Sequence, residues 1–176
     1  MKYFLSLFLA LFMFSISSAQ EIPDWLKDHM EYMVQGSGTW IADNSAYISD
    51  EETVEEYATE WEYGLGNQSI KGRLYAITGG KEVGTFWEFR TFWNPVEQKA
   101  YAYQFSGFGA VGMGEMTFKN GEVIIEQVFY YSNGASQKTG HKSKGFPTYQ
   151  EITSYTITKD GEWKKDRYYK WVLHKE

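Results

Sequence analysis

The spacing of hydrophobic residues follows three successive patterns along the chain. Residues 3–16 are almost entirely apolar, residues 23–34 carry apolar side chains at helical spacing, and the sequence after Gly38 alternates with a period of two. A period of two is typical of a strand that has one face in the core and one face in water. The pattern therefore predicts an apolar leader, one short helix and a long series of β-strands.

Residues 23–34 form the predicted helix. The positions that recur at helical spacing are Trp25, Leu26, His29, Met30 and Met33. Asp24 is a candidate N-cap, and Gly36 and Gly38 end the helical pattern. One short helix ahead of a sheet can plug or flank an end of a barrel.

The strand pattern is clearest in residues 53–63, where Tyr57, Trp61 and Tyr63 share one face and glutamates occupy the other. The segments that follow are separated by turn signals at Gly79-Gly80, Asn94-Pro95, Asn120-Gly121 and Asp160-Gly161. Segments joined by such turns pair as consecutive hairpins, and closure of the meander removes exposed sheet edges. We therefore predict an all-β fold, an up-and-down antiparallel β-barrel of eight to ten strands with one short N-terminal helix. Residues 132–147 are predicted to be a long polar loop.

Residues 1–19 are predicted to be a secretory signal peptide. Lys2 supplies the positive charge that precedes the apolar run, and Ser17 and Ala19 are the small residues expected before a cleavage site. A membrane anchor is the alternative, because the apolar run with its flanks approaches the shortest membrane span. The predicted domains are the signal peptide, 1–19, and one barrel domain, 20–176. The barrel domain is expected to be exported, periplasmic or secreted, with no stable membrane insertion after cleavage.

The composition narrows the classes of partner. The chain has 17 basic and 23 acidic residues and a net charge of −6, which becomes −7 once Lys2 is removed. Nucleic-acid binding relies on Lys and Arg at phosphates, so nucleic acid is not an expected partner. The chain contains no cysteine, and its stability must come from the core rather than from disulfides. Aromatic residues make up 19% of the chain, which favours strands around an aromatic interior.

The aromatic strand faces predict a ligand site. The predicted ligand-binding residues are Tyr57, Trp61, Tyr63, Trp87, Phe89, Tyr101, Tyr103 and Phe105. Because glutamates occupy the opposite face of the clearest strand, we expect the aromatic face to point inward. Several buried tyrosine hydroxyls are hard to satisfy in a dry core, which favours a wet or ligand-filled cavity. The expected partner is a small hydrophobic or aromatic molecule, and no cofactor is expected.

Two other functions stay open at this point. The aromatic side chains could fill the barrel, which would then be a structural or protein-interaction domain without a ligand. A small barrel could also be a lyase or isomerase that uses Tyr, Glu and Arg in an apolar pocket. A buried carboxylate beside a Tyr–Arg pair in an open cavity would favour the enzyme. No catalytic residue is assigned from the sequence.

Two further sequence features, a glycine motif and the three histidines, do not predict a specific binding or catalytic site. Residues 107–112 match G-x-G-x-x-G, but an alternating segment follows them instead of the helix that a dinucleotide site needs. They are expected to bend the chain or to form a mobile lid. The histidines His29, His141 and His174 lack metal-ligand spacing, so no metal site is predicted. His141 lies among lysines in the predicted polar loop, and His174 could ligate haem in a haem-binding barrel.

The sequence Gly38-Thr39-Trp40 after one short helix, with Arg167 on the predicted last strand, resembles the lipocalin and calycin barrels. In those barrels an Arg or Lys late in the chain packs across the tryptophan at the closed end. The resemblance implies a lipocalin-like β-barrel over 20–176, with Trp40 and Arg167 as the barrel-closing contact. The usual disulfide and C-terminal helix of the family are missing. The chain is also similar to small exported bacterial proteins of unknown function, so the resemblance implies a fold more than an activity.

Overall fold

A computed structural model describes residues 21–175. The predicted signal peptide, 1–19, lies outside the described residues. The helix α1 is Asp24–Val34, and the strands are β1 (Thr39–Asp43), β2 (Glu56–Tyr63), β3 (Ser69–Thr78), β4 (Lys81–Asn94), β5 (Lys99–Ser106), β6 (Val111–Lys119), β7 (Glu122–Tyr130), β8 (Ser136–Phe146), β9 (Tyr149–Ile157) and β10 (Trp163–Leu173). Within the described residues, no helix is long and apolar enough to cross a membrane.

The ten strands form one closed barrel. Each strand pairs antiparallel with the next in sequence, and β1 pairs with β10 through Trp40 opposite Leu173 and Ile41 opposite Val172. Closure leaves no unpaired edge that could recruit another chain. The prediction of an all-β, up-and-down antiparallel barrel with one short N-terminal helix is confirmed.

Helix α1 closes one end of the barrel, which we call the helix end. Leu26, Met30 and Met33 are buried at the i, i+4, i+7 spacing of a helical stripe. They pack into a cluster with Ile70 at the start of β3 and with the alanines of β5. Because these alanine side chains are small, the barrel interior has space for the helix at this end. We call the opposite end, with the hairpins after β1, β3, β5, β7 and β9, the loop end.

The predicted polar loop over 132–147 is wrong. Most of this segment is the strand β8, which pairs with both β7 and β9. Its inward side chains include His141 and Ser143, which line the interior, and its outward side chains are mostly polar. With polar residues on both faces, the strand has no hydrophobic alternation for sequence reasoning to detect.

The glycine-rich segment 107–112 forms the turn between β5 and β6, as expected from the missing helix. The Ser106 hydroxyl accepts hydrogen bonds from the backbone N–H groups of Phe108 and Ala110. Gly109 has a φ of +81°, in the region that favours glycine. At Gly112 a side chain would meet the Phe129 ring 2.6 Å away. These glycines serve a tight turn and a close approach inside the barrel.

Candidate functional site

The barrel interior contains a cavity of about 340 Å³. Its walls are mainly apolar and include the aromatic side chains of Trp61, Trp87 and Phe129, and His29 and Met33 of α1 border it from the helix end. Small-molecule pockets generally measure roughly 300–1,000 Å³ and are lined mostly by apolar side chains. The interior is therefore large enough for a compact ligand.

Four predicted ligand-binding residues border this cavity, and three of them, Trp61, Trp87 and Phe89, lie on the inward faces of their strands. Trp61 of β2 stacks on Phe89 of β4, with ring centroids 5.2 Å apart and an interplanar angle of 14°. Trp87, two residues before Phe89, meets the edge of Phe129 at 5.3 Å. A sheet pairs residues of one face with residues of the same face, and the β2–β3–β4 register brings the aromatic stripes of β2 and β4 to the interior.

Tyr57 and Tyr63 lie at the two ends of β2. Tyr57 is at the loop end and donates a hydrogen bond from its hydroxyl to the Glu52 carboxylate, 2.8 Å away. Tyr63 is at the helix end of the strand and is exposed. Neither residue lines the cavity that Trp61 borders, so the aromatic stripe of β2 extends beyond the pocket at both ends.

The sequence predicted that Tyr101, Tyr103 and Phe105 face the interior. In the structure these residues lie on the outer face of β5. The β4–β5 register sets Thr91 opposite Ala102 and Phe89 opposite Gln104, which turns the even-numbered residues of β5 inward. Phe105 is 43% exposed. The Tyr101 and Tyr103 rings pack against Phe92 on the outer face, although Tyr103 also borders the cavity. The inward residues of β5 are small because α1 packs there, so the more hydrophobic face of this strand is the outer one.

Two histidines that sequence reasoning left without a role line the cavity. His29 projects from α1 and His141 from the middle of β8, where it lies between Ile125 and Ser154. Within residues 21–175 neither ring has a hydrogen-bonding partner. Burial lowers the pKa of His29 to about 4 and that of His141 to about 4, with nearby Asp166 opposing the shift of His141. At neutral pH each ring is therefore uncharged, with one N–H donor and one nitrogen acceptor.

Several other polar atoms of the interior have no partner among the described residues. They are Thr59 Oγ1, Trp61 Nε1, Thr139 Oγ1 and both amide atoms of Gln127. The Gln127 side chain is only 1% exposed. Buried polar groups in folded proteins are nearly always hydrogen-bonded, because an unmade bond costs about 1–3 kcal/mol. The barrel interior thus offers more hydrogen-bonding capacity than its own side chains use.

A hydrogen-bonded cluster holds the loop end together, and we call it the loop-end cluster: Asn44, Glu52, Tyr57, Arg167 and Tyr169. The two terminal nitrogens of the Arg167 guanidinium donate to the two Glu52 oxygens at 2.8 and 2.5 Å. Asn44 Nδ2 donates to Glu52 at 3.0 Å, and the Tyr169 hydroxyl donates to Asn44 Oδ1 at 2.7 Å. The segment between β1 and β2 is thereby fastened to β10 across the barrel mouth.

This cluster has the Glu, Tyr and Arg that an enzyme would use, but its electrostatics oppose acid–base chemistry near neutral pH. The hydrogen bonds from Arg167 lower the pKa of Glu52 to about 2, and burial together with the Glu52 carboxylate raises the pKa of Tyr57. A general acid or base works best with a pKa near the operating pH. Glu52 stays ionised and Tyr57 stays protonated, which suits a fastening role.

The predicted barrel-closing contact between Trp40 and Arg167 is not formed. Trp40 pairs with Leu173 near the helix end, and Arg167 lies six residues earlier on β10, roughly 20 Å away along a strand. Trp40 instead donates its Nε1–H to the Met33 carbonyl at 2.9 Å and packs against the Tyr32 ring. The tryptophan does close one end of the barrel, but it does so against the helix. The barrel is shared with the lipocalin-like fold, and the Trp–Arg contact is not.

We expect Arg167→Met to lower the free energy of unfolding by about 1–3 kcal/mol, because it leaves the Glu52 carboxylate, only 20% exposed, without its charged partner. Lys71→Met is the matched control. It removes the cation of an exposed ion pair with Glu62, and such pairs contribute less than about 1 kcal/mol. Urea unfolding followed by tryptophan fluorescence compares the two variants. Equal losses would contradict the fastening role.

No protein-family model matches the chain, and no curated protein matches it either. Among residues 21–175, no group of three or more His, Cys, Asp or Glu side chains could hold a metal ion.

Proposed function

We propose that this protein is an exported binding protein whose barrel holds a small, uncharged, largely aromatic or apolar molecule. The observation that carries the proposal is the cavity of about 340 Å³ inside the ten-stranded barrel, bordered by α1 and by several aromatic side chains. Export is supported by the pattern of residues 1–19: one positive charge, an apolar run and small residues before Gln20.

The side chains around the cavity favour a ligand-binding barrel over a filled one. Many positions that border the space are small, including Thr59, Thr91, Ala102, Ser143 and Ser154. Protein interiors are close-packed, and a barrel that only had to be stable would gain contacts from larger side chains at these positions. The small residues preserve a volume that a ligand can fill.

The charge of the lining favours an uncharged ligand. The described residues that border the cavity include no Asp, Glu, Lys or Arg. Arg167 of the loop-end cluster is already paired with Glu52. A buried charge without a partner is costly, so a fatty-acid carboxylate would find no free counter-charge in this pocket.

Titration with N-phenyl-1-naphthylamine, a neutral aromatic probe, is expected to change tryptophan emission in a saturable manner, because Trp61 and Trp87 border the cavity. Dodecanoate, which brings a carboxylate, is expected to bind at least about tenfold more weakly, a difference of about 1.4 kcal/mol. Both titrations use the mature chain at neutral pH.

Ser143→Phe and Ser136→Phe give the matched comparison for this titration. Ser143 borders the cavity, whereas Ser136 is exposed at the start of the same strand. The phenylalanine at 143 is expected to abolish probe binding and the one at 136 to leave it unchanged. If neither probe changes the emission of the unmodified protein, the binding proposal fails and the structural-barrel alternative replaces it.

A further inference from the structure

We propose that His29 and His141 are the polar recognition pair of the cavity, and that its ligand is an uncharged ring compound with hydroxyl, carbonyl or amide groups. This inference rests on the proposed binding function and specifies its ligand class. The two rings, one on the helix and one on a strand, border the same cavity.

Each imidazole is held on a rigid element. His29 lies on the cavity side of α1 between the buried Leu26 and Met33, and α1 is packed against the barrel along that face. His141 is fixed by backbone pairing of β8 on both sides. Groups on regular elements hold their direction better than groups on loops, which is a requirement for reading a ligand by hydrogen bonds.

The surrounding side chains leave these rings free to bind a ligand. Ser154, directly opposite His141 in the sheet, already accepts a hydrogen bond from the Arg167 backbone N–H at 3.2 Å. Ile125, on the other side of His141, and Met33, next to His29 on the helix face, are apolar. Among the described residues, neither ring has a protein partner for its donor or its acceptor. Both histidines are partly buried. If the two positions only filled space, apolar side chains would do so without the cost of removing unpaired polar groups from water.

The chemistry of the pair defines the ligand class. A neutral imidazole offers one donor and one acceptor, which complement a hydroxyl, a carbonyl or an amide. The cavity walls also present aromatic side chains, including the stacked Trp61 and Phe89. Flat aromatic surfaces contact ring systems well. A ligand with an aromatic ring system and uncharged polar substituents can pack against the aromatic walls and form hydrogen bonds with the two imidazoles.

The test compares 2,6-dihydroxynaphthalene with 2,6-dimethylnaphthalene, which have similar shape and differ in hydrogen bonding. An apolar cavity alone would prefer the dimethyl compound, because its hydroxyl counterpart must give up water. We expect the reverse: the dihydroxy compound binds about tenfold more tightly or better, as measured by tryptophan fluorescence. His29→Leu and His141→Leu are expected to remove this preference while the dimethyl compound still binds. His174→Leu, at an exposed histidine, serves as the control.

A second measurement does not depend on variants. In the unmodified protein, the imidazole nitrogen NMR shifts of His29 and His141 are expected to move when the dihydroxy compound is added, with those of His174 unchanged. If the dimethyl compound binds as tightly as the dihydroxy compound and the imidazole shifts stay fixed, the recognition pair is refuted and the binding barrel stands. If neither naphthalene compound nor N-phenyl-1-naphthylamine binds, the recognition pair and the proposed function both fail.

Discussion

Trp40→Ala is expected to lower the free energy of unfolding by roughly 3–5 kcal/mol, the range for truncation of a buried large aromatic. The Trp40 side chain is fully buried and belongs to a core cluster with Ala42 and Trp171. Truncation leaves a cavity and also leaves the Met33 carbonyl without the indole N–H that it accepts. Helix α1 and the paired strands β1 and β10 would both lose their contacts with the Trp40 ring. The measurement is the midpoint of urea unfolding, followed by tryptophan fluorescence.

Two comparison variants separate the ring from its hydrogen bond. Trp40→Phe keeps most of the aromatic volume and removes the N–H, so its loss should be clearly smaller than that of Trp40→Ala. Leu65→Ala removes a side chain that is 92% exposed, and its effect should stay within about 0.5 kcal/mol. If Trp40→Ala is as mild as Leu65→Ala, the tryptophan is not the anchor of the helix end.

The fold was largely predictable because most strands carry a readable alternation and are joined by clear turns. In β2, one face carries glutamates and the other carries aromatic residues, so the sequence indicates which face is exposed to water and which faces the core. In β8, polar residues occur on both faces, because the interior side includes polar cavity residues such as His141 and Ser143. A strand that faces a partly polar cavity loses the contrast on which sequence reasoning depends.

The cavity-lining residues were predictable from the sequence only where the interior is aromatic. Trp61, Trp87 and Phe89 follow from the β2 and β4 patterns, but the same reasoning fails on β5. There the interior residues are alanines that accommodate α1, and the aromatic rings pack on the outside. Side-chain hydrophobicity ranks the two faces of a strand, whereas the register with neighbouring strands decides which face is inside.

The resemblance implied a contact between Trp40 and Arg167, and the structure has Trp40 against α1 and opposite Leu173 instead. The partner of Trp40 could not be read from the sequence, because Arg167 and Leu173 lie on the same strand and only the β1–β10 register selects the residue that meets Trp40. Arg167 lies beside the aromatic side chain of Tyr169 on β10.

The charge of Arg167 is balanced by an ion pair with Glu52, a residue of the segment before β2.

The free energy of unfolding of the ligand-free protein is expected to decrease as the pH falls from about 6.5 to about 4. The cause is the two cavity histidines, whose pKa is lowered to about 4 in the folded protein from 6.5. Between these two values the unfolded chain binds more protons than the folded one, so stability rises with pH through that window. The contribution is complete above pH 6.5 and reaches up to about 3 kcal/mol for each histidine.

Other titrating groups near the cavity do not produce a loss in the same window. Tyr169 borders the cavity, and burial raises its pKa from 10, so it remains protonated throughout. Asp166 acts on His141 by raising its pKa and so reduces the effect without reversing it. Glu52 has a pKa lowered to about 2 by Arg167. Its contribution is present above 4.5 and is lost only as the pH falls toward 2, below most of the histidine window.

Urea unfolding at pH 7.5, 6.5, 5.5 and 4.5 measures this dependence through tryptophan fluorescence. The double variant His29→Leu/His141→Leu is expected to lose most of the slope between pH 6.5 and 4.5, because no buried imidazole remains to resist protonation in the folded state. His174→Leu, at an exposed position, should keep the slope of the unmodified protein. A stability that is flat from pH 7.5 to 4.5 in the unmodified protein would show that the two rings are hydrated or paired and that their pKa is not lowered in the folded protein.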